Sequence, residues 1–172
     1  MSLGFGVGIG RYLVMGFLDS TVTAIALSPF LPLRSGEASV GSALIIMFIN
    51  LVTAFMAEYT EERRDLGKME RSLFMRQGSI LKTRLYKERI IEVIHRSAVF
   101  GAVSFGAAIV TELTADLVKV MGIPVIPIAL LGIFGSLMSR YFGGNEFIWF
   151  AFYLAIGIAA AGLGLLFHFF LL

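Results

Sequence analysis

The stretch IIMFINLVTAFMAEYTEERRDLGKME, residues 45–70, decides the fold. Its first half is apolar apart from Asn50 and Thr53. Its second half is charged, with Glu58, Glu61, Glu62, Arg63, Arg64, Asp65, Lys68 and Glu70. No proline separates the halves. It therefore reads as one helix that spans a lipid layer from about Gly41 to Ala57 and continues into water.

The rest of the chain agrees. Of 172 residues, 58% are hydrophobic and 15% charged, against about 25% charged in soluble domains. The mean hydropathy is +0.87. A membrane span needs about 20 mostly apolar residues. Besides 41–57, such stretches run over about 12–33, 97–117, 123–141 and 147–172. The expected fold is all-α and polytopic: five transmembrane helices with a cytoplasmic helical hairpin between the second and third. Helices 1–2 fall in residues 1–57, the charged segment in 58–96 and helices 3–5 in 97–172, all within one membrane domain. Pro29 and Pro32, with Pro124 and Pro127, would break or cap helices in one layer.

The charged segment holds seven acids and ten bases. It reads as two polar helices, 58–76 and 80–96, turning at Gly78. An excess of Lys and Arg marks cytoplasmic loops, so this segment and the N-terminus are expected inside and the C-terminus outside. Arg34 and Glu37 cancel in the first loop, Lys119 stands alone in the third, and Arg140 returns to the inner side. His168 then lies near the outer end. Small residues recur every four positions at Ala98, Ala102 and Gly106, at Gly132 and Ser136, and at Gly157 and Ala161. Such faces let membrane helices approach closely. Packing within one chain is the simpler reading and a dimer face the sharper one.

Several features exclude functions. Without cysteine there are no disulfides or thiolate metal sites. There is no phosphate-binding GxxxxGK[ST] loop, and His95 and His168 lie on opposite sides, so neither a nucleotide-driven pump nor a His-based catalytic or metal site is expected. The chain does not read as an enzyme. Transport would draw on an ion gradient.

Four groups could carry chemistry. Asp19, in GFLDSTVTAIAL (16–27), sits mid-span, where an ionised group costs about 2.5–3.5 kcal/mol on insertion scales. It must face a partner, a cavity or an ion, and Thr23 shares its face. Asn50 is the amide of the second span, with Met47, Thr53 and Met56 at nearby helical positions. Carboxylate and carbonyl oxygens suit hard cations such as Mn²⁺, and thioether adds a preference for softer ions. The charged helices pair Glu58 with Glu62, Glu61 with Asp65, and Glu88 with Glu92 at i,i+4, about 5–6 Å apart at Cβ. These acids would either collect a cation near the membrane surface or belong to a solvated, salt-bridged face. Glu112 and Asp116 form a further acid pair, either a proton or exit site or an interfacial helix end.

The order MGFLDSTVTAIAL, INLVTAFMAEYTEER, a charged helical segment and three further spans resembles the vacuolar iron transporter family, which includes the yeast-type vacuolar Ca²⁺ cross-complementer proteins. Asp19-Ser20-Thr21-Val22-Thr23 stands where the family carries DGxxT, with Ser20 in the glycine's place. Asn50-Leu51 and Met56-Ala57-Glu58-Tyr59 match the two halves of its second-span motif, with a shorter stretch between. Tyr12 stands where a second acid is common. The resemblance implies a five-helix homodimer in a lipid bilayer that exports Fe²⁺ or Mn²⁺ by proton antiport. Co²⁺ and Zn²⁺ are further candidate ions; no resident cofactor or nucleic-acid partner is implied. It places the membrane metal site on Asp19, Asn50 and Met56. It makes Glu58, Glu61, Glu62, Asp65, Glu88 and Glu92 candidates for metal collection. The competing expectation is a non-transporting adaptor whose basic segment binds anionic lipid or a partner, and a third is a passive cation channel.

Overall fold

The computed structural model describes residues 3–30, 36–74 and 78–171. It contains five long helices: α1 (Leu3–Leu27), α2 (Gly36–Ser72), α3 (Arg84–Ala115), α4 (Val125–Phe142) and α5 (Glu146–Leu171). A short 3₁₀ turn, Ile80–Lys82, precedes α3. Two-residue strands β1 (Lys119–Val120) and β2 (Ile123–Pro124) join α3 to α4. The architecture is all-helical apart from this hairpin. Among the described residues, Ser39–Ser72, Arg84–Ala115, Val125–Phe142 and Glu146–Phe170 are long and apolar enough to cross a membrane. These four helices have the length and hydropathy of an integral membrane protein. α1 is not among these four. Arg11, Asp19 and the polar run Ser20-Thr21 lower its hydropathy, and the reach of its expected span to Leu33 lies outside the described residues, with Pro32.

α2 fulfils the opening expectation: 37 residues form one unbroken helix, about 55 Å long at 1.5 Å per residue. It stops at Ser72, four residues before the expected end, as Phe74 turns to φ 52°. Arg76 lies outside the described residues. Gly78 takes φ +81°, a conformation glycine adopts without steric cost. α3 begins at Arg84 rather than at 80, because the 3₁₀ turn uses the intervening residues.

The β1–β2 hairpin was not expected from sequence. Both central residues are left-handed, Met121 at φ 53° and Gly122 at φ 84°, the signature of a type I′ turn. Helix α4 ends on left-handed Gly143, and Gly144 N–H donates to the Ser139 carbonyl at 2.8 Å. Arg140 grips Glu146 through two hydrogen bonds, 2.9 and 3.2 Å, across the turn into α5.

Successive helices alternate in direction. Tyr141 approaches Gly10 at one end of the bundle, while Phe30 meets His168 and Leu165 meets Gly122 at the other. The first end carries the charged halves of α2 and α3. Pro29, Pro124 and Pro127 share the second end, as expected. α1 is central. On one side Ala24 packs with Ala43, Ile46 and Ala108 of α2 and α3. On the other, Ile25 packs with Ile128, Ala160 and Ala161 of α4 and α5. Phe17 stacks on Phe134 at 4.1 Å between ring centres. The outward faces are apolar: Ile45, Phe48 and Ile49 on α2 and Phe147, Phe152 and Phe169 on α5 are all more than half exposed. Such surface suits lipid rather than water.

Three polar rungs cross this apolar bundle. Glu58 meets Arg96, Asn50 meets Ser104 and Ser42 meets Glu112, each step eight residues on both α2 and α3. That is about 12 Å of helix. α1 joins two rungs with the same step, Tyr12 to Glu58 and Ser20 to Asn50.

The small-residue stripes divide. Gly132, Gly157 and Ala161 pack between α4 and α5, as the simpler reading expected. Ala98, Ala102 and Gly106 instead face outward. The buried face of α3 is offset from them and runs through Ser97, Gly101, Ser104, Ala108 and Thr111. The tightest approach is at Gly164, where an added Cβ would lie 2.3 Å from the Ala26 carbonyl oxygen. Gly164→Ala should therefore destabilise the bundle by about 1–3 kcal/mol, the usual cost of overpacking. Gly162→Ala meets nothing within 4 Å and should be neutral or slightly stabilising. Thermal unfolding in detergent measures both.

Candidate functional site

Asp19 lies on the exposed side of α1, where the helix leaves a half-open groove against α2. The groove encloses about 460 Å³. Its polar lining is Asp19, Thr23, Ser42, Asn50 and Thr53; Leu27, Ile45, Ile46 and Ile49 supply the apolar wall. Asp19 and Thr23 of α1 and Asn50 and Thr53 of α2 thus line one groove, while Met47 and Met56 are not part of it. Asp19 has no hydrogen bond or ion pair among the described residues.

Asn50 is held from behind. Its Nδ2 donates to Ser20 Oγ at 3.0 Å and to Ser104 Oγ at 3.1 Å. Ser104 Oγ in turn donates to the Gly16 carbonyl at 3.4 Å. Both amide hydrogens are thus spent on the packed core. Asn50 also lines the groove, with the orientation of its amide fixed by these bonds. Ser20, which stands in the glycine position of the resemblance, is one of the two hydroxyls that fix it.

Met56 does not join this group. Six residues separate it from Asn50, about 240° around a helix of 3.6 residues per turn. It opens on a different hollow with Thr60, Glu61 and Arg64. The groove offers oxygen donors without the thioether, which favours hard cations over soft ones.

The acids of the charged end are brought together, but around arginines. Arg96 Nη1 is 3.3 Å from Glu58 Oε2, and its Nη2 contacts Glu92. Arg89 Nη1 lies 3.7 Å from Glu62 and 3.9 Å from Glu92. Tyr12 donates its hydroxyl hydrogen to Glu58. On the outer face, Glu61 lies 4.0 Å from Arg64, Asp65 2.8 Å from Lys68, and Glu88 2.8 Å from Arg84. The Lys68 hydrogen bond holds the Asp65 carboxyl below its ordinary range. Of the two readings of these acids, the salt-bridged one describes their contacts, since each carboxylate meets an Arg or Lys side chain. Among the described residues no three His, Asp or Glu side chains converge on one metal position.

At the opposite end, Glu112 is 2% exposed. Its Oε2 is 2.5 Å from Ser42 Oγ, and its Oε1 has no partner among the described residues. Asp116 does not join it. It caps α3 and pairs with Lys119, so the i,i+4 acid pair divides into a core residue and a surface one.

Sequence reading gave Glu70 no role. Its two oxygens accept hydrogen bonds from the Gly78 and Ile80 backbone N–H groups, each at 3.0 Å. They close the turn between α2 and α3. These bonds hold the Glu70 carboxyl below its ordinary range. A depressed folded-state pKa contributes stability above the unfolded-state pKa, lost as pH falls through the folded one. Glu70→Gln should accelerate hydrogen exchange at the Gly78 and Ile80 amides severalfold at neutral pH. In the unaltered protein, protection relative to intrinsic exchange should fall toward that of the variant on acidification. Mass spectrometry of the exchanged peptides reads both.

No protein-family model, curated protein or solved structure matches this chain. The functional reading rests on its residues and their geometry.

Proposed function

We propose that the protein moves a divalent transition-metal ion, Fe²⁺ or Mn²⁺, across a membrane in exchange for protons, with Asp19 as the ion site. The observation that carries this reading is the Asp19 carboxyl, unpaired among the described residues, in a groove with two threonines and an oriented amide. An intramembrane acid of this kind is a functional site by default. One carboxylate and neutral oxygens give a loose site from which an ion can leave. The carboxylate holds a proton or a cation in turn, so one group serves both ions. α1 completes a five-span topology. The basic charged end faces the cytoplasm, because ten bases gather in 58–96 and Arg140 lies at the same end. A homodimer belongs to the same reading.

The arginine-paired acids favour a second reading at that end, a basic surface for anionic lipid or a partner protein. Proteoliposomes carrying a Mn²⁺-sensitive dye and a pH-sensitive dye separate the possibilities. Mn²⁺ entry with opposite proton movement is the expected result. Flux equal to that of empty liposomes would leave the adaptor, and flux without proton movement would leave a passive channel.

A further inference from the structure

The Ser42–Glu112 rung lies beside the groove, and it leaves one oxygen of an ionised glutamate buried without a partner among the described residues. Ser42 Oγ is within reach of at least two acceptors, the Ser39 carbonyl at 3.1 Å and Glu112 Oε2 at 2.5 Å. A serine hydroxyl has one hydrogen, and the Ser39 carbonyl can only accept. When Ser42 donates to Ser39, the contact with Glu112 needs a hydrogen from Glu112 itself. The other oxygen, Oε1, is buried without a partner among the described residues. A buried carboxylate in that position carries a full desolvation cost, whereas the neutral acid leaves only a carbonyl-type oxygen unpaired.

We propose that Glu112 holds a bound proton within the bundle and that Ser42 follows that proton by turning its hydroxyl. With the proton on Glu112, the acid donates to Ser42 Oγ and Ser42 donates to Ser39. When the proton leaves to water, the Ser42 hydrogen swings to Glu112 Oε2, one hydrogen for one. Ser39 then retains the amide bond that its place in α2 provides. Ser42 also lines the Asp19 groove, so the turn of its hydroxyl changes the polarity that a groove cation meets. The proton site stands on this geometry whichever ion the groove carries.

The charged neighbours are few. Asp19 of α1 lies along the same groove. On the chain following Glu112, Asp116 is neutralised by Lys119. Arg140 and Tyr141 of α4 sit at the opposite end of the bundle. Arg34 and the Glu37 side chain lie outside the described residues.

Infrared difference spectroscopy of the full chain in lipid nanodiscs, without metal, tests this. A protonated-carboxyl carbonyl band is expected at neutral pH and should disappear at high pH. It should shift when the protein is made with ¹³C-carboxyl glutamate but not with ¹³C-carboxyl aspartate, and vanish in Glu112→Gln. Ser42→Ala should change its frequency, since the acid loses the oxygen that accepts its hydrogen. No such band, or a band following the aspartate label, would overturn the assignment even if Glu112→Gln failed to fold. A frequency unchanged in Ser42→Ala would overturn the part given to Ser42.

Discussion

Asp19→Asn should lower metal-dependent flux by about 10- to 150-fold while leaving stability within about 0.5 kcal/mol. The first figure follows from a charge-assisted contact of about 1.5–3 kcal/mol, at tenfold for every 1.4 kcal/mol. The second follows because Asp19 faces the groove and makes no hydrogen bond or ion pair among the described residues, and substitutions of that kind stay within about ±0.5 kcal/mol. The dissociation of the two effects is the point of the measurement. Flux and unfolding should be read on the same preparation. A loss of stability with unchanged flux would make Asp19 a structural residue and remove it from the transport path. Thr23→Val, which removes a neighbouring hydroxyl and keeps the shape, should reduce flux by less.

Arg96→Met should destabilise the protein by about 3 kcal/mol, the lower end for breaking a buried pair. The lower end applies because the Arg96 side chain keeps 24% exposure while Glu58 keeps 12%. Without the guanidinium, Glu58 and Glu92 remain as neighbouring carboxylates, with the Tyr12 hydroxyl on Glu58. Arg96→Lys should fall between, because an ammonium replaces a planar fork that now contacts both acids. Adding Glu58→Gln to Arg96→Met should recover part of the loss by removing the stranded charge. Arg89→Ala is the contrast. Its side chain is 46% exposed, and pairs of that kind contribute about 0–1 kcal/mol. Unfolding midpoints of the four variants in one detergent settle the order.

The five helices and four of the five expected span-forming stretches were legible, because a long apolar run shows directly in composition. The continuity of α2 from lipid into water was legible because nothing in residues 45–70 interrupts it. The rest turned on which side of a helix a residue takes. Glu58, Glu62 and Glu92 share a face and do come together, yet sequence alone did not show that Arg89 and Arg96 enter the same space from α3. Met56 was grouped with Asn50 by helical spacing and by the resemblance, although a six-residue step carries it to another face. The outward turn of Ala98, Ala102 and Gly106 has the same origin: a parallel stripe, Ser97-Gly101-Ser104-Ala108, is equally small and is the one that packs. Glu70 was hidden because its partners are backbone amides, which leave no trace in side-chain identity. One signal was there to be read. Tyr12 and Ser20, then Ser42, Asn50 and Glu58, then Arg96, Ser104 and Glu112, each advance by eight.

That common step acts as a ruler cut into three rods. Sliding α2 along α3 by one helical turn, about 5.4 Å, would carry Glu58, Asn50 and Ser42 off their marks together. Each would then face an apolar side chain or the wrong polar one. No single contact has to be strong for the set to forbid that movement, since the errors arrive at once. Rotation or tilt of the three helices as a body keeps the marks aligned. Any working motion of this protein is therefore expected to leave α1, α2 and α3 in register and to occur where α1 meets α4 and α5, whose contacts are apolar and carry no such marks.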